Sequence, residues 1–132
     1  MDKRFKSGKH VVFNLGFHLI WCPKYRRPVL TDLIGQRLKE LLKEKAEQEG
    51  WDIAEMEVMP DHVHIFIKVK PSDAPITVAS RLKGYTSFKL RSEFPELKKK
   101  LPTLWTRSFF VESIGCISEE TIKKYIINQK GV

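Results

Sequence analysis

From His62 to Lys70 the chain alternates with a period of two: Val63, Ile65, Ile67 and Val69 fall on one side, His62, His64, Phe66 and Lys68 on the other. A segment with this pattern buries half of itself, so it is a strand with one packed face and one open face. The remaining elements must cover the aliphatic side and leave the histidine side accessible.

The flanking sequence supplies that cover. Residues 11–22 are rich in β-branched and aromatic types and stop at Pro23, which cannot donate to a ladder, so they read as a first strand. Thr31 or Asp32 offers an N-cap, Ile34, Leu38, Leu41, Leu42 and Ala46 repeat at helical spacing, and Gly50 offers a left-handed stop. Trp51 to Met59 is a second strand, with Ile53, Met56 and Val58 set among Asp52, Glu55 and Glu57; Pro60-Asp61 then turns the chain into the third. Val78, Ala79, Leu82, Tyr85 and Thr86 fit a second helix running to about Ser92. A loop from Phe94 to Pro102 follows, then a fourth strand over Leu104 to Ile114 centred on Trp105, Phe109, Phe110 and Val111. Ser118-Glu119-Glu120-Thr121, a hydroxyl cap followed by acids, opens a last helix at about 118–130. The order β-α-β-β-α-β predicts an α+β, ferredoxin-like (split βαβ) antiparallel sheet with helices on one face, plus an extra C-terminal helix.

The 132 residues are one domain's worth of chain, and 42% apolar composition supports a packed core. The expected domain is residues 1–132, with a core at about 11–115. The longest apolar runs, such as Phe17 to Cys22, fall far short of the roughly 20 residues a membrane helix needs. Met1 to Lys6 carries charge without the apolar stretch of a signal peptide, so a cytoplasmic location is expected. Twenty-four Lys and Arg against 16 Asp and Glu give a net charge of +8, which favours a polyanion; with no clear basic amphipathic helix, nucleic acid is a better partner than membrane. Two cysteines, Cys22 and Cys116, are too few and too far apart for a CxxC knuckle or a disulfide framework. Glycine-rich phosphate loops, GxSxG elbows and zinc clusters are missing from the sequence, which excludes several common enzyme classes.

What remains for chemistry is concentrated in a few places. His62 and His64 lie roughly 7 Å apart along one strand face, where two imidazoles can converge on a divalent ion. An HxH pair is also what a half-exposed strand shows as ordinary outward polar residues, and a bound ion needs a third donor; Asp61, Glu57, His18 and Gln129 are candidates. Tyr125 and Gln129, four apart on the last helix, share a face, although Ile122, Tyr125, Ile126 and Gln129 also follow an ordinary packing stripe. Lys24, Tyr25, Arg26 and Arg27 mix cations with an aromatic suited to phosphates and a stacked base, and Arg81 and Lys83 add cations on the second helix.

Three segments together resemble one family. Phe17-His18-Leu19-Ile20-Trp21-Cys22-Pro23-Lys24-Tyr25-Arg26-Arg27-Pro28-Val29-Leu30, Glu57-Val58-Met59-Pro60-Asp61-His62-Val63-His64-Ile65 and Ser118 through Gln129 look like the single-tyrosine HUH transposases (TnpA type) of small single-strand insertion sequences. The resemblance implies a metal-dependent endonuclease and strand transferase acting on single-stranded DNA, with the C-terminal helix carrying the tyrosine. It assigns His62, His64 and Gln129 to a Mg²⁺ or Mn²⁺ ion and makes Tyr125 the nucleophile that forms a 5′-phosphotyrosine link. It assigns Lys24, Tyr25, Arg26, Arg27, Arg81 and Lys83 no catalytic step; their expected part is DNA binding. It further implies a homodimer, in which one subunit's tyrosine helix can complete the other's histidine site, and recognition of a DNA hairpin at each element end. Two stretches depart from the family pattern: Ser108-Phe109-Phe110-Val111 stands where Ser-Tyr-Phe-Val is frequent, and Gly115-Cys116-Ile117-Ser118 where Gly-Asn-Val-Ser is frequent. The first swap keeps an aromatic; the second removes a polar turn residue ahead of the tyrosine helix.

Two other readings compete. A ferredoxin-like sheet can bind single-stranded nucleic acid without catalysis by stacking bases on exposed aromatics, but this chain lacks the paired aromatics of that mode on its central strands. A related HUH nuclease with a replication or host-adopted role would share the chemistry and differ only in its DNA.

Overall fold

The computed structural model describes residues 6–7, 12–13, 15–115 and 127. Its elements are β1 (Lys6–Ser7), β2 (Val12–Phe13), β3 (Leu15–Trp21), α1 (Asp32–Glu49), β4 (Asp52–Met59), β5 (His62–Val69), α2 (Pro75–Glu93), α3 (Glu96–Lys100) and β6 (Phe110–Gly115). Of the helix expected at about 118–130, Ile127 alone is described, helical and exposed; Tyr125 and Gln129 lie outside the described residues, as does Cys116.

β4, β5, β3 and β6 form one sheet in that order, every neighbouring pair antiparallel. With β1 and β2 paired in a separate small ladder, the four main strands follow the split βαβ order: the third strand lies beside the first, and the second and fourth take the edges. The alternation of β5 is obeyed residue by residue, since Val63, Ile65, Ile67 and Val69 are buried and His62, His64, Phe66 and Lys68 are partly exposed. β3 contributes Phe17, Leu19 and Trp21 to the same core. In β4 the inward residues Ile53, Met56 and Val58 are spaced three and then two apart, a mismatch absorbed by a bulge between Ile53 and Glu55. α1 covers this layer with Leu38, Leu41, Leu42 and Ala46, and α2 with Val78, Ala79, Leu82 and Leu90.

The helix ends follow local chemistry. Gly50 takes φ 77° at the end of α1, where its N–H caps the Ala46 and Glu47 carbonyls. Thr31 occupies the N-cap position in extended conformation without a side-chain cap bond. Across the α1/α2 contact, Arg37 donates to both oxygens of Glu93 (2.7 and 3.1 Å), Tyr85 to Glu44 (2.6 Å) and Arg81 to Glu49 (2.6 Å). Among the described residues, no helix is long and apolar enough to cross a membrane.

Three boundaries differ from the sequence reading. The first strand is expected over 11–22, but β3 spans Leu15–Trp21 while Val12–Phe13 pairs with Lys6–Ser7. The segment 94–102, expected as a loop, contains α3, whose Glu96 and Lys98 to Lys100 match the helix dipole and whose Leu97 is buried. The fourth strand, expected over Leu104 to Ile114, is confined to Phe110–Gly115.

Trp105 is not the centre of that strand; it makes a single bridge to Pro23, and its ring lies edge-on to Trp21 at 5.9 Å. Its Nε1–H donates to Thr86 Oγ1 (3.1 Å), and that hydroxyl donates to the Leu82 carbonyl (2.8 Å). Downstream, the Lys83 ammonium donates to the carbonyls of Thr106 (2.6 Å), Arg107 (3.3 Å) and Ser108 (3.2 Å), and burial pushes its pKa down. Three successive carbonyls gathered on one cation cannot lie in a flat ladder, where they point alternately to either side.

Replacing Thr86 with valine, which keeps the shape and removes the hydroxyl, should leave the Trp105 N–H unpaired and cost about 1–3 kcal/mol in urea unfolding. Lys83→Met should release the Thr106–Ser108 turn at a cost of about 1–2 kcal/mol, read as a lower urea midpoint with faster amide exchange in β6.

Candidate active site

β5 places His62 and His64 on the sheet face opposite the helices, both half-buried. Their cross-strand neighbours are Met59 and Glu57 on β4, with Ile20 on β3 opposite His64. Each imidazole has a different partner. His62 Nδ1 lies 2.9 Å from Asp61 Oδ1, and because a carboxylate only accepts, the ring nitrogen is the donor. The other carboxylate oxygen, Oδ2, accepts from Arg26 Nε at 3.1 Å. The hydrogen bond from His62, followed by the charge and hydrogen bond of Arg26, holds the Asp61 carboxyl below the usual carboxylate range.

His64 Nε2 instead meets His18 Nδ1 at 3.1 Å. The His18 ring is tilted against His64 on one side and against Phe66, 4.8 Å away, on the other. Phe66 lies over Gly16, where any Cβ would come within 2.7 Å of its ring, so glycine at this position is what lets the aromatic support His18. Glu55, Met56, Glu57, His64 and Phe66 line a shallow depression beside the pair.

The donor set is compatible with a divalent cation: two imidazoles on one open face with carboxylates nearby. Among the described residues no three His, Cys, Asp or Glu side chains converge closely enough to hold an ion. Of the four third-donor candidates, Asp61 is taken by His62 and Arg26, His18 contacts His64, Glu57 borders the depression, and Gln129 lies outside the described residues. The sequence offers Asp61 and His18 as donors to a metal; their contacts to the histidines depend instead on turn geometry and on the register between β3 and β5.

The basic residues separate into two groups. Lys24–Arg26 form a single tight turn directly after β3, in which Tyr25 (φ 57°) and Arg26 (φ 52°) take the left-handed conformation that non-glycine residues seldom adopt. Tyr25 is exposed, with Lys24 Nζ 5.5 Å from its ring centre. The turn is moored at both ends: Lys24 N–H donates to the Leu104 carbonyl (2.8 Å), and Leu30 N–H to the Pro60 carbonyl (3.0 Å), next to Asp61. Arg27, Pro28 and Val29 share a shallow depression with Lys100 of α3, which brings the two basic runs together. Arg81 and Lys83 are instead engaged within the fold, by Glu49 and by the 106–108 carbonyls.

Comparison with known proteins sets this geometry in a family. Residues 11–129 match the family model for IS200-like transposases. The ISDra2 transposase TnpA of Deinococcus radiodurans is 37% identical over 126 residues, covering 94% of this chain and 90% of that protein. The transposase for insertion sequence element IS200 of Salmonella typhimurium is 29% identical over 126 residues, covering 94% and 82%. A transposase crystal structure from D. radiodurans R1 superimposes with a TM-score of 0.76 at 37% identity, over 94% of this chain and 97% of that one. A REP-associated tyrosine transposase bound to a REP hairpin shares the fold, with a TM-score of 0.56 at 12% identity over 92% and 67%. With nearly its whole length matched, the chain belongs to the IS200-like transposase family.

Proposed function

We propose that this transposase is a metal-dependent single-stranded DNA endonuclease and strand transferase that forms a 5′-phosphotyrosine intermediate at insertion-sequence ends. The observation that carries the reading is the His62/His64 pair on the open sheet face of an IS200-like transposase, with the Lys24–Arg27 turn tied to the same end of the sheet. His62, His64 and Gln129 would hold Mg²⁺ or Mn²⁺. When bound, the cation supplies Lewis acidity at the scissile phosphate, which makes phosphorus more electrophilic.

The chain's own residues do the rest. Tyr125 gives up its phenolic proton, and its oxygen attacks phosphorus; a P–O bond to tyrosine forms as the P–O3′ bond breaks, and the departing 3′ oxygen takes up a proton. One diester replaces another, so the bond energy is retained, and a second strand's 3′-OH can reverse the attack and join new ends without ATP. Lys24, Arg26 and Arg27 contact phosphates, and Tyr25 offers a face for a base. The substrate would be single-stranded DNA with a hairpin at each element end, handled in the cytoplasm by a homodimer. Support for a hairpin partner comes from the hairpin bound to the REP-associated relative, and support for the nucleophile comes from the Tyr125/Gln129 spacing.

The test uses single-stranded DNA from both flanks of the gene. With Mg²⁺ the wild type should give a covalent protein–DNA adduct on a denaturing gel; Tyr125→Phe should bind the same DNA and give none, and chelation or His64→Ala should abolish it. Binding without adduct in the wild type would instead support the non-catalytic binding module, and an adduct persisting in Tyr125→Phe would remove Tyr125 as nucleophile.

A further inference from the structure

We propose that Asp61, tethered by Arg26, is a positioning residue that decides which nitrogen His62 presents to a divalent cation; the inference rests on the metal-dependent reading above. The Nδ1–H···Oδ1 contact of 2.9 Å puts the proton of a neutral His62 on Nδ1 and leaves the Nε2 lone pair as the donor. A free histidine prefers the opposite tautomer, so the neighbouring carboxylate reverses the default. It also fixes the ring plane, because a side chain one residue away in a tight turn can accept from only a narrow range of ring orientations.

Arg26 supplies the second half of the device. With Oδ2 accepting from Arg26 Nε at 3.1 Å, both carboxylate oxygens are committed, which restrains rotation of the carboxyl group and leaves Asp61 an orienting group rather than a spare ligand. The Arg26 backbone is held in place: it sits at φ 52°, its N–H donates to the Pro23 carbonyl (2.8 Å), and the following segment is pinned by Leu30 N–H to the Pro60 carbonyl (3.0 Å). The Arg26–Asp61 pair is exposed, at 71% and 35% of its side chains, so as an ion pair it adds little to stability. Outer partners of metal-binding histidines ordinarily raise affinity by about 10- to 100-fold.

The experiment uses the full chain without DNA. Long-range proton–nitrogen NMR of ¹⁵N-histidine-labelled, metal-free protein at about pH 8 reads the His62 tautomer, and Mn²⁺ titration followed by electron paramagnetic resonance reads affinity. The wild type should show His62 protonated on Nδ1. Asp61→Ala should move that proton to Nε2 and weaken Mn²⁺ binding about 10- to 100-fold with thermal unfolding unchanged. Asp61→Asn, whose amide oxygen still accepts, should keep the tautomer and most of the affinity, and Arg26→Ala should give a smaller loss than Asp61→Ala. A wild-type His62 protonated on Nε2 overturns the proposal. Wild-type Mn²⁺ affinity in Asp61→Ala, alongside lost affinity in His62→Ala, also overturns it while the metal reading stands; a wild type that takes up no Mn²⁺ overturns both.

Discussion

A strand presents successive side chains to opposite faces, and in β5 this rule ties the core and the candidate site to the same eight residues. The aliphatic set cannot be buried beneath α1 and α2 without the histidine set being turned to the open side. Slipping the strand by one residue would exchange the two, desolvating His62 and His64 in the aliphatic core of Leu19, Leu38 and Leu82 and exposing Val63, Ile65 and Ile67. Packing the core therefore sets the direction of the imidazoles, and the helices fix that direction by holding β5 in register.

Direction is not orientation, and the finer placement comes from the ends of the strands. At the end where β3 leaves the sheet, the chain makes the left-handed Lys24–Arg26 turn, bridges Pro23 to Trp105 and returns to Pro60 through Leu30. Trp105 is locked by Thr86, and the strand that follows is bent into place by Lys83, so the mooring of the basic turn traces back to α2. Arg26 and Asp61 meet because both flanking segments are fixed, one by the 102–106 loop and the other by the β4–β5 turn.

The parts of this arrangement that were legible in the sequence are those set by local periodicity. The β5 alternation, the α1 stripe closed by Gly50 and the order of the main elements all follow from spacing within a single segment. The sequence makes β6 too long because Trp105 and Phe110 look alike in composition, while one is buried in the core and the other is 55% exposed on the edge strand. Nothing local distinguishes them; the difference lies in Thr86 and Lys83, about 20 residues upstream in the chain. The bulge in β4 is a property of its pairing with β5, which skips a residue between Ile53 and Glu55, and not of the alternation expected for Trp51 to Met59. The His18–His64 contact belongs to the register of two strands 46 residues apart, a quantity no short window contains.

Charge shows the same dependence on folding. A net charge of +8 points to a polyanion, yet on the sheet face the cross-strand neighbours of His64, Phe66 and His18 are Glu57, Glu55 and Glu112. The same face also carries Lys68, opposite Asp52, whereas the Lys24–Arg27 turn and α3 form a separate basic cluster where Arg27 lies beside Lys100. Carboxylates near two imidazoles lower the local potential and favour a cation over a phosphate, while the adjoining turn does the reverse. The segregation makes the composition compatible with both a polyanionic substrate and a cation site. The Arg26–Asp61–His62 chain of contacts spans the boundary between them.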